Sequence, residues 1–125
     1  MNVFLIKIQI FLYIIFTSIF LRILSYQQLN KFIKVSPFFM SRSNLCQNEY
    51  SKIVERLSKK INVNKCFVKS IVLFKALKKN GFCPRLIVGG RFVDSIYHSH
   101  SWVELKEQNL IYQNKDDFKE VIRYT

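Results

Sequence analysis

Cys66, His100 and Asn114 are the residues whose types and placement are suited to nucleophilic chemistry. Cys66 follows the break Asn62-Val63-Asn64 and begins an apolar helical stripe. A thiol at a helix start feels the positive end of the peptide dipoles, and Lys65 and Lys69 add to that field, so the thiolate is favoured. The same start offers unpaired backbone N–H groups that can stabilise the oxyanion of an attacked carbonyl. His100 lies in an alternating run, with His98, Trp102 and Glu104 on its face and Ser99, Ser101, Val103 and Leu105 on the other. Cysteine, imidazole and an orienting amide or carboxylate form a catalytic set. Asn114 is the expected orienter, with Gln113, Asp116 and Asp117 as neighbours able to compete for the role. Blander readings stand beside these: Cys66 as a small core residue, Asn114 as a strand-ending turn residue and Trp102 as core. A metal site formed by His98, His100 and Cys66 is the weaker chemical alternative, because zinc ligands usually come in tighter pairs. No metal is expected.

The elements that must position these residues are legible from periodicity. Ile53, Val54, Leu57 and Ile61 recur at helical spacing within Glu49–Ile61, opposite Lys52, Glu55, Arg56, Lys59 and Lys60. Asn64 suits the N-cap of a second helix over 65–79, and Lys78-Lys79-Asn80-Gly81 suits its end. On that helix Cys66, Ser70, Leu73 and Leu77 share the stripe expected to be buried, while Lys69, Lys75, Lys78 and Lys79 are expected to lie mostly outside it. Arg85 to Gly89 reads as a buried strand ending at Gly89-Gly90, and 91–97 carries no clear pattern. His98 to Leu105 reads as a strand, 106–109 as a turn, Leu110 to Gln113 as the returning strand, and the tail from Lys115 as a short helix.

Length and composition restrict the classes. With 125 residues and 50% hydrophobic content, the chain has material for one compact domain and is not a disordered tail. Cys46, Cys66 and Cys83 are an odd count without a Cys-x-x-Cys pair, which argues for reduced, intracellular thiols. The net charge of +12 is concentrated centrally: Arg42 to Arg91 holds 12 basic and two acidic residues, and from Phe92 onward 4 basic residues face 6 acidic ones. Such a field attracts nucleic acid, anionic lipid or an acidic peptide without choosing among them.

Residues 3 to 24 are almost wholly apolar, interrupted by Lys7, Gln9, Thr17, Ser18 and Arg22, and read as a helix. Only 14 residues lie between Lys7 and Arg22, short of the ~20 that a span requires, although both side chains can snorkel. Membrane embedding, and packing on the domain or lying at a membrane surface, are the competing readings. A signal peptide ranks last for want of a small-x-small cleavage site. The expected organisation is an apolar N-terminal helix over 1–34, a linker over 35–47 marked by Ser36-Pro37 and Ser41-Arg42-Ser43-Asn44, and a domain over 48–125.

The stretch Cys66-Phe-Val-Lys-Ser-Ile-Val-Leu-Phe-Lys-Ala-Leu-Lys-Lys-Asn-Gly-Phe-Cys-Pro-Arg-Leu-Ile-Val-Gly89, followed by His100-Ser-Trp-Val-Glu104, resembles the transglutaminase-like leader peptidases of lasso-peptide biosynthesis, the microcin-processing family. The likeness runs from about residue 50 to the C-terminus. It implies an α+β fold of the transglutaminase-like, papain-like kind, in which a Cys-bearing helix packs on a small antiparallel sheet carrying the His. It further implies Cys66 as nucleophile, His100 as general base and then acid, and Asn114 where the family usually has Asp. The expected activity is cysteine-peptidase removal of the leader from a ribosomally made, bacteriocin-like precursor peptide. The resemblance implies as partners that precursor, a small leader-recognition protein and an ATP-dependent cyclase downstream, in the cytoplasm or at the inner face of its membrane, with no nucleic acid and with no cofactor on this chain. Tyr112-Gln113-Asn114 and Asn62-Val63-Asn64-Lys65 depart from the family pattern. Two alternatives remain: a non-catalytic binding subunit of a peptide-modifying complex, and a small membrane-associated basic protein.

Overall fold

A computed structural model describes residues 3–34, 45–61, 66–105, 108–110 and 119–125. Four helices precede a small sheet: α1 (Val3–Ile23), α2 (Tyr26–Lys34), α3 (Gln47–Lys60), α4 (Cys66–Lys79), then β1 (Arg85–Val93), β2 (Ile96–Leu105), β3 (Gln108–Leu110) and β4 (Lys119–Tyr124). The strand order is β3-β2-β1-β4, and every neighbouring pair is antiparallel. The α+β class expected from the sequence is therefore the observed one.

The apolar run of residues 3–24 forms one helix, α1, as expected, but the segment expected as a single helix over 1–34 contains a second, α2. Ser25 and Gln28 make a reciprocal capping box, with Gln28 N–H donating to Ser25 Oγ at 3.3 Å and Ser25 N–H donating to Gln28 Oε1 at 3.1 Å. Each bond satisfies a donor left open at the start of α2, so the chain restarts a helix there instead of extending α1. Ile6, Ile10, Tyr13 and Ile14 of α1 and Ile33 of α2 join Tyr50 and Val54 of α3, Val68 to Leu77 of α4, and Leu86, Val103, Leu105 and Tyr124 of the sheet in one core. Each large apolar side chain buried in this way contributes ~1.5–3 kcal/mol, so burial of Ile6, Ile10, Tyr13 and Ile14 holds α1 against the body of the protein.

Helix α4 is the axis of the fold. Every residue from Val68 to Leu77 is buried, because α1, α3 and the strands cover it from different sides. Lys69 and Lys75, expected mostly outside the buried stripe, are consequently interior: Lys69 is 8% exposed and Lys75 1%. A helical wheel assumes one covered face, and here no solvent-facing stripe remains along the middle of the helix. The Lys75 ammonium donates to Tyr13 Oη of α1 at 3.2 Å and to the Phe32 carbonyl near the end of α2, and lies 3.8 Å from the Phe32 ring centroid. It thus serves one of the carbonyls that a helix C-terminus leaves open. Burial lowers the Lys75 pKa to about 8 and raises that of Tyr13 to about 12.

The end of α4 follows its sequence signal closely. Gly81 takes φ +88, Phe82 N–H reaches the Leu77 carbonyl at 3.1 Å, and Gly81 N–H reaches that of Lys78 at 3.4 Å. These are the two bonds of a Schellman cap.

The sheet departs from expectation at three places. Gly89-Gly90 does not end β1, which continues to Val93 and turns into β2 through Asp94 and Ser95, at φ 52 and φ 67. Two successive left-handed residues between paired strands match the hairpin twist, and Asp is a residue that tolerates that conformation. The expected 106–109 turn is shorter, since Leu105 already pairs with Gln108; residues 111–113 of the expected return strand lie outside the described residues. The expected C-terminal helix is strand β4 where it is described, with Leu86 opposite Tyr124 and Val88 opposite Ile122. Ile122 and Tyr124, two residues apart, suit one covered face, and pairing with β1 supplies the backbone partners a short isolated helix would lack.

Candidate functional site

Cys66 is the first residue of α4, as the sequence predicts for a helix-start thiol; its side chain lies outside the described residues. Asn114, Gln113, Asp116 and Asp117 also lie outside them. His100 sits in β2, half-buried, directly opposite Gly89 of β1. Its ring stacks against that of Trp102 with centroids 6.4 Å apart and planes 26° from parallel. Burial, and secondarily the Lys69 ammonium, hold the His100 pKa below its ordinary value, favouring the neutral imidazole. Lys69 itself is paired with Glu55 of α3 at 3.3 Å.

Gly89 makes this arrangement possible. A Cβ there would lie 3.0 Å from both Trp102 Cη2 and Cζ3 and 2.9 Å from the Lys119 carbonyl oxygen. The indole lies over the bare backbone of β1, and β4 closes in from the other side. Gly89 is therefore required by close approach in mid-strand and not by a turn. Trp102 is 4% exposed, the core position expected for it, while doubling as the surface on which His100 rests. Glu104 is used structurally, its carboxylate 3.4 Å from the Arg85 guanidinium across the β1–β2 register.

Contact between the Cys helix and the His strand is made by two serines. Ser70 of α4 and Ser101 of β2 are both buried, with their hydroxyls 3.3 Å apart. Ser70 is one helical turn, about 6 Å, beyond Cys66, and Ser101 is the neighbour of His100. The start of α4 and the His100 segment are thus brought into one region. The pleat divides them, however: Ser101, Val103 and Leu105 face the helices, whereas His100 and Trp102 leave the strand on the opposite face.

His98 is exposed, opposite Arg91 on the outer part of the hairpin, and among the described residues no three His, Cys, Asp or Glu side chains converge as a metal site would need. Cys46 and Cys83 are exposed free thiols, the former donating to Glu49 Oε1 at 3.4 Å. A cavity of about 500 Å³ is lined by Lys78, Phe82, Cys83, Pro84, Arg85 and Thr125. It lies at the C-terminal end of α4, about 18 Å along the helix from Cys66, and does not belong to the Cys66–His100 region. Two contributors escaped the sequence reading. Gly89 looked like a strand terminator, and its alternative role required knowing that Trp102 lies opposite. Lys69 was expected to act on the thiol, and its influence on His100 follows from tertiary packing. Comparison with protein-family models, with curated proteins and with solved structures finds no match for the chain.

Proposed function

We propose that the chain is a transglutaminase-like cysteine peptidase that removes the leader from a ribosomally synthesised, lasso-type precursor peptide. The observation that supports this most is the Ser70–Ser101 contact, which draws the helix beginning at Cys66 towards the strand carrying a half-buried, low-pKa His100. In the proposed reaction the neutral imidazole of His100 takes the Cys66 thiol proton as the sulfur attacks the carbonyl carbon at the leader–core junction, and backbone N–H groups at the start of α4 receive the oxyanion. Protonated His100 gives its proton to the departing amine of the core, leaving the leader as a thioester on Cys66. His100 then takes a proton from water, whose hydroxide displaces the thiolate and frees the leader carboxylate. Asn114 is proposed to hold the imidazole, and neither metal nor cofactor enters. A separate leader-recognition protein and an ATP-dependent cyclase are the proposed partners, in the cytoplasm at the membrane's inner face.

The pleat that sends His100 to the face opposite Ser101 favours a second reading, a binding subunit in which the Cys and His are structural. One comparison separates the two. Wild type, Cys66→Ala and His100→Ala are each incubated with the precursor peptide and its recognition partner, and products are followed by mass. The peptidase reading requires cleavage by wild type and its loss in both variants, typically by more than about a thousandfold. Cleavage that persists in Cys66→Ala, or precursor binding with no cleavage by wild type, rejects it.

A further inference from the structure

We infer that α1 docks this protein on an anionic membrane surface, lying in the plane of the interface with its outer face in the lipid. Ile6, Ile10, Tyr13, Ile14 and Thr17 of α1 are buried against the body of the protein. On the opposite side Phe4, Ile8, Leu12, Phe16, Ile19 and Ile23 are all at least 41% exposed, and at 100° per residue they fall within about 120° of arc. A continuous stripe of this kind runs the whole length of a 21-residue helix, about 30 Å. Soluble monomers rarely leave so much contiguous apolar surface in water.

The charge around the stripe selects the occupant. The first 48 residues contain five basic residues, Lys7, Arg22, Lys31, Lys34 and Arg42, and no acidic one. Lys7, Arg22, Lys31 and Lys34 are exposed. Arg22 lies at the edge of the stripe, where its stem can lie along lipid while the charged end meets headgroups, and Lys7 lies about 60° of arc beyond it. An apolar face on a segment whose only charges, through residue 48, are cationic matches anionic lipid, since each such cation near the surface adds to the attraction. Spanning fits less well: the mean hydropathy of 2.2 and the length would allow it, yet one side of α1 is packed on α3 and α4 and is not available to lipid.

The test is flotation of the full chain with vesicles of phosphatidylcholine containing one-third phosphatidylglycerol, and with vesicles of phosphatidylcholine alone. The protein is expected to float with the anionic vesicles and to partition at least about tenfold less into the neutral ones or at raised salt. The quadruple variant Ile8→Ser/Leu12→Ser/Phe16→Ser/Ile19→Ser changes only exposed positions, so its circular dichroism should match wild type while flotation is lost. Equal flotation by the variant overturns the inference. So does binding that resists alkaline carbonate, which marks a spanning helix, or a vesicle-free dimer that the variant disrupts, which marks a second copy on this face. Removal of α1 during expression, seen as a shortened N-terminus, overturns it as well.

Discussion

Replacing Gly89 by Ala tests the packing on which the candidate site depends. The added methyl would stand 2.9 Å from the Lys119 carbonyl oxygen and 3.0 Å from two atoms of the Trp102 indole, all well inside ordinary contact. The first is backbone of a paired strand and the second a ring that is 4% exposed, so neither can swing aside. Overpacking of this kind costs ~1–3 kcal/mol. Gly90 is the matched control. A methyl there would collide with the Tyr97 phenol, but Tyr97 is 52% exposed and can rotate into solvent. Gly90→Ala should therefore lie within about 0.5 kcal/mol of wild type. Urea denaturation gives both values, and the chain's single tryptophan, Trp102, reports its own displacement by fluorescence. Because His100 stacks on Trp102, Gly89→Ala should also lower any activity that needs the imidazole. A Gly89→Ala protein as stable as Gly90→Ala, with an unshifted tryptophan spectrum, would refute the packing of Trp102 over β1.

Further outcomes follow from the same structure. Gly81→Ala meets no neighbouring atom, so its cost is the left-handed backbone alone, ~1–2 kcal/mol by denaturation, with no effect on chemistry at the other end of α4. Lys75, with a folded pKa of about 8 against 10.5 unfolded, binds its proton more weakly when folded. Stability should thus rise with pH between those values, by up to ~3 kcal/mol, and Tyr13 should reverse the trend above pH 10 because its pKa is raised to about 12. Lys75→Met, of similar volume, should abolish the rise, as denaturation midpoints across pH will register. His100 should titrate below 6.5 by NMR in a His98→Gln background, and Lys69→Gln should move it upward by removing the lesser of its two causes. Since the folded state disfavours the imidazolium, His100 also makes the protein less stable as pH falls through 6.5.

Local chemistry was legible wherever one segment decides the outcome. The cap of α4 at Gly81, the start of α3 near Asn48 and the alternation of β2 around His100 each follow from neighbours a few residues away. The capping box at Ser25 and Gln28 was equally local, although the run of apolar residues before it drew the reading. Errors gathered where a distant segment sets the answer. Gly89 breaks a strand by propensity, and here it persists because Trp102, thirteen residues later, occupies the space of its missing side chain. Lys75 belongs outside by its charge, yet Tyr13 and the Phe32 carbonyl, supplied from the other end of the chain, give it partners inside.

By itself the sequence determined the α+β class, the helix that begins at Cys66, the strand that carries His100 and the strongly basic, apolar-headed character of the chain. These depend on periodicity, capping and composition, which act over one or two turns. Tertiary structure alone decided that the apolar head folds back to share its inner face with α3 and α4, leaving the outer face bare. It also decided that Ser101, not His100, meets the Cys66 helix. Both outcomes depend on which surfaces the elements turn towards one another. That choice is made by burial of apolar area across many segments at once, and no short window of residues contains it.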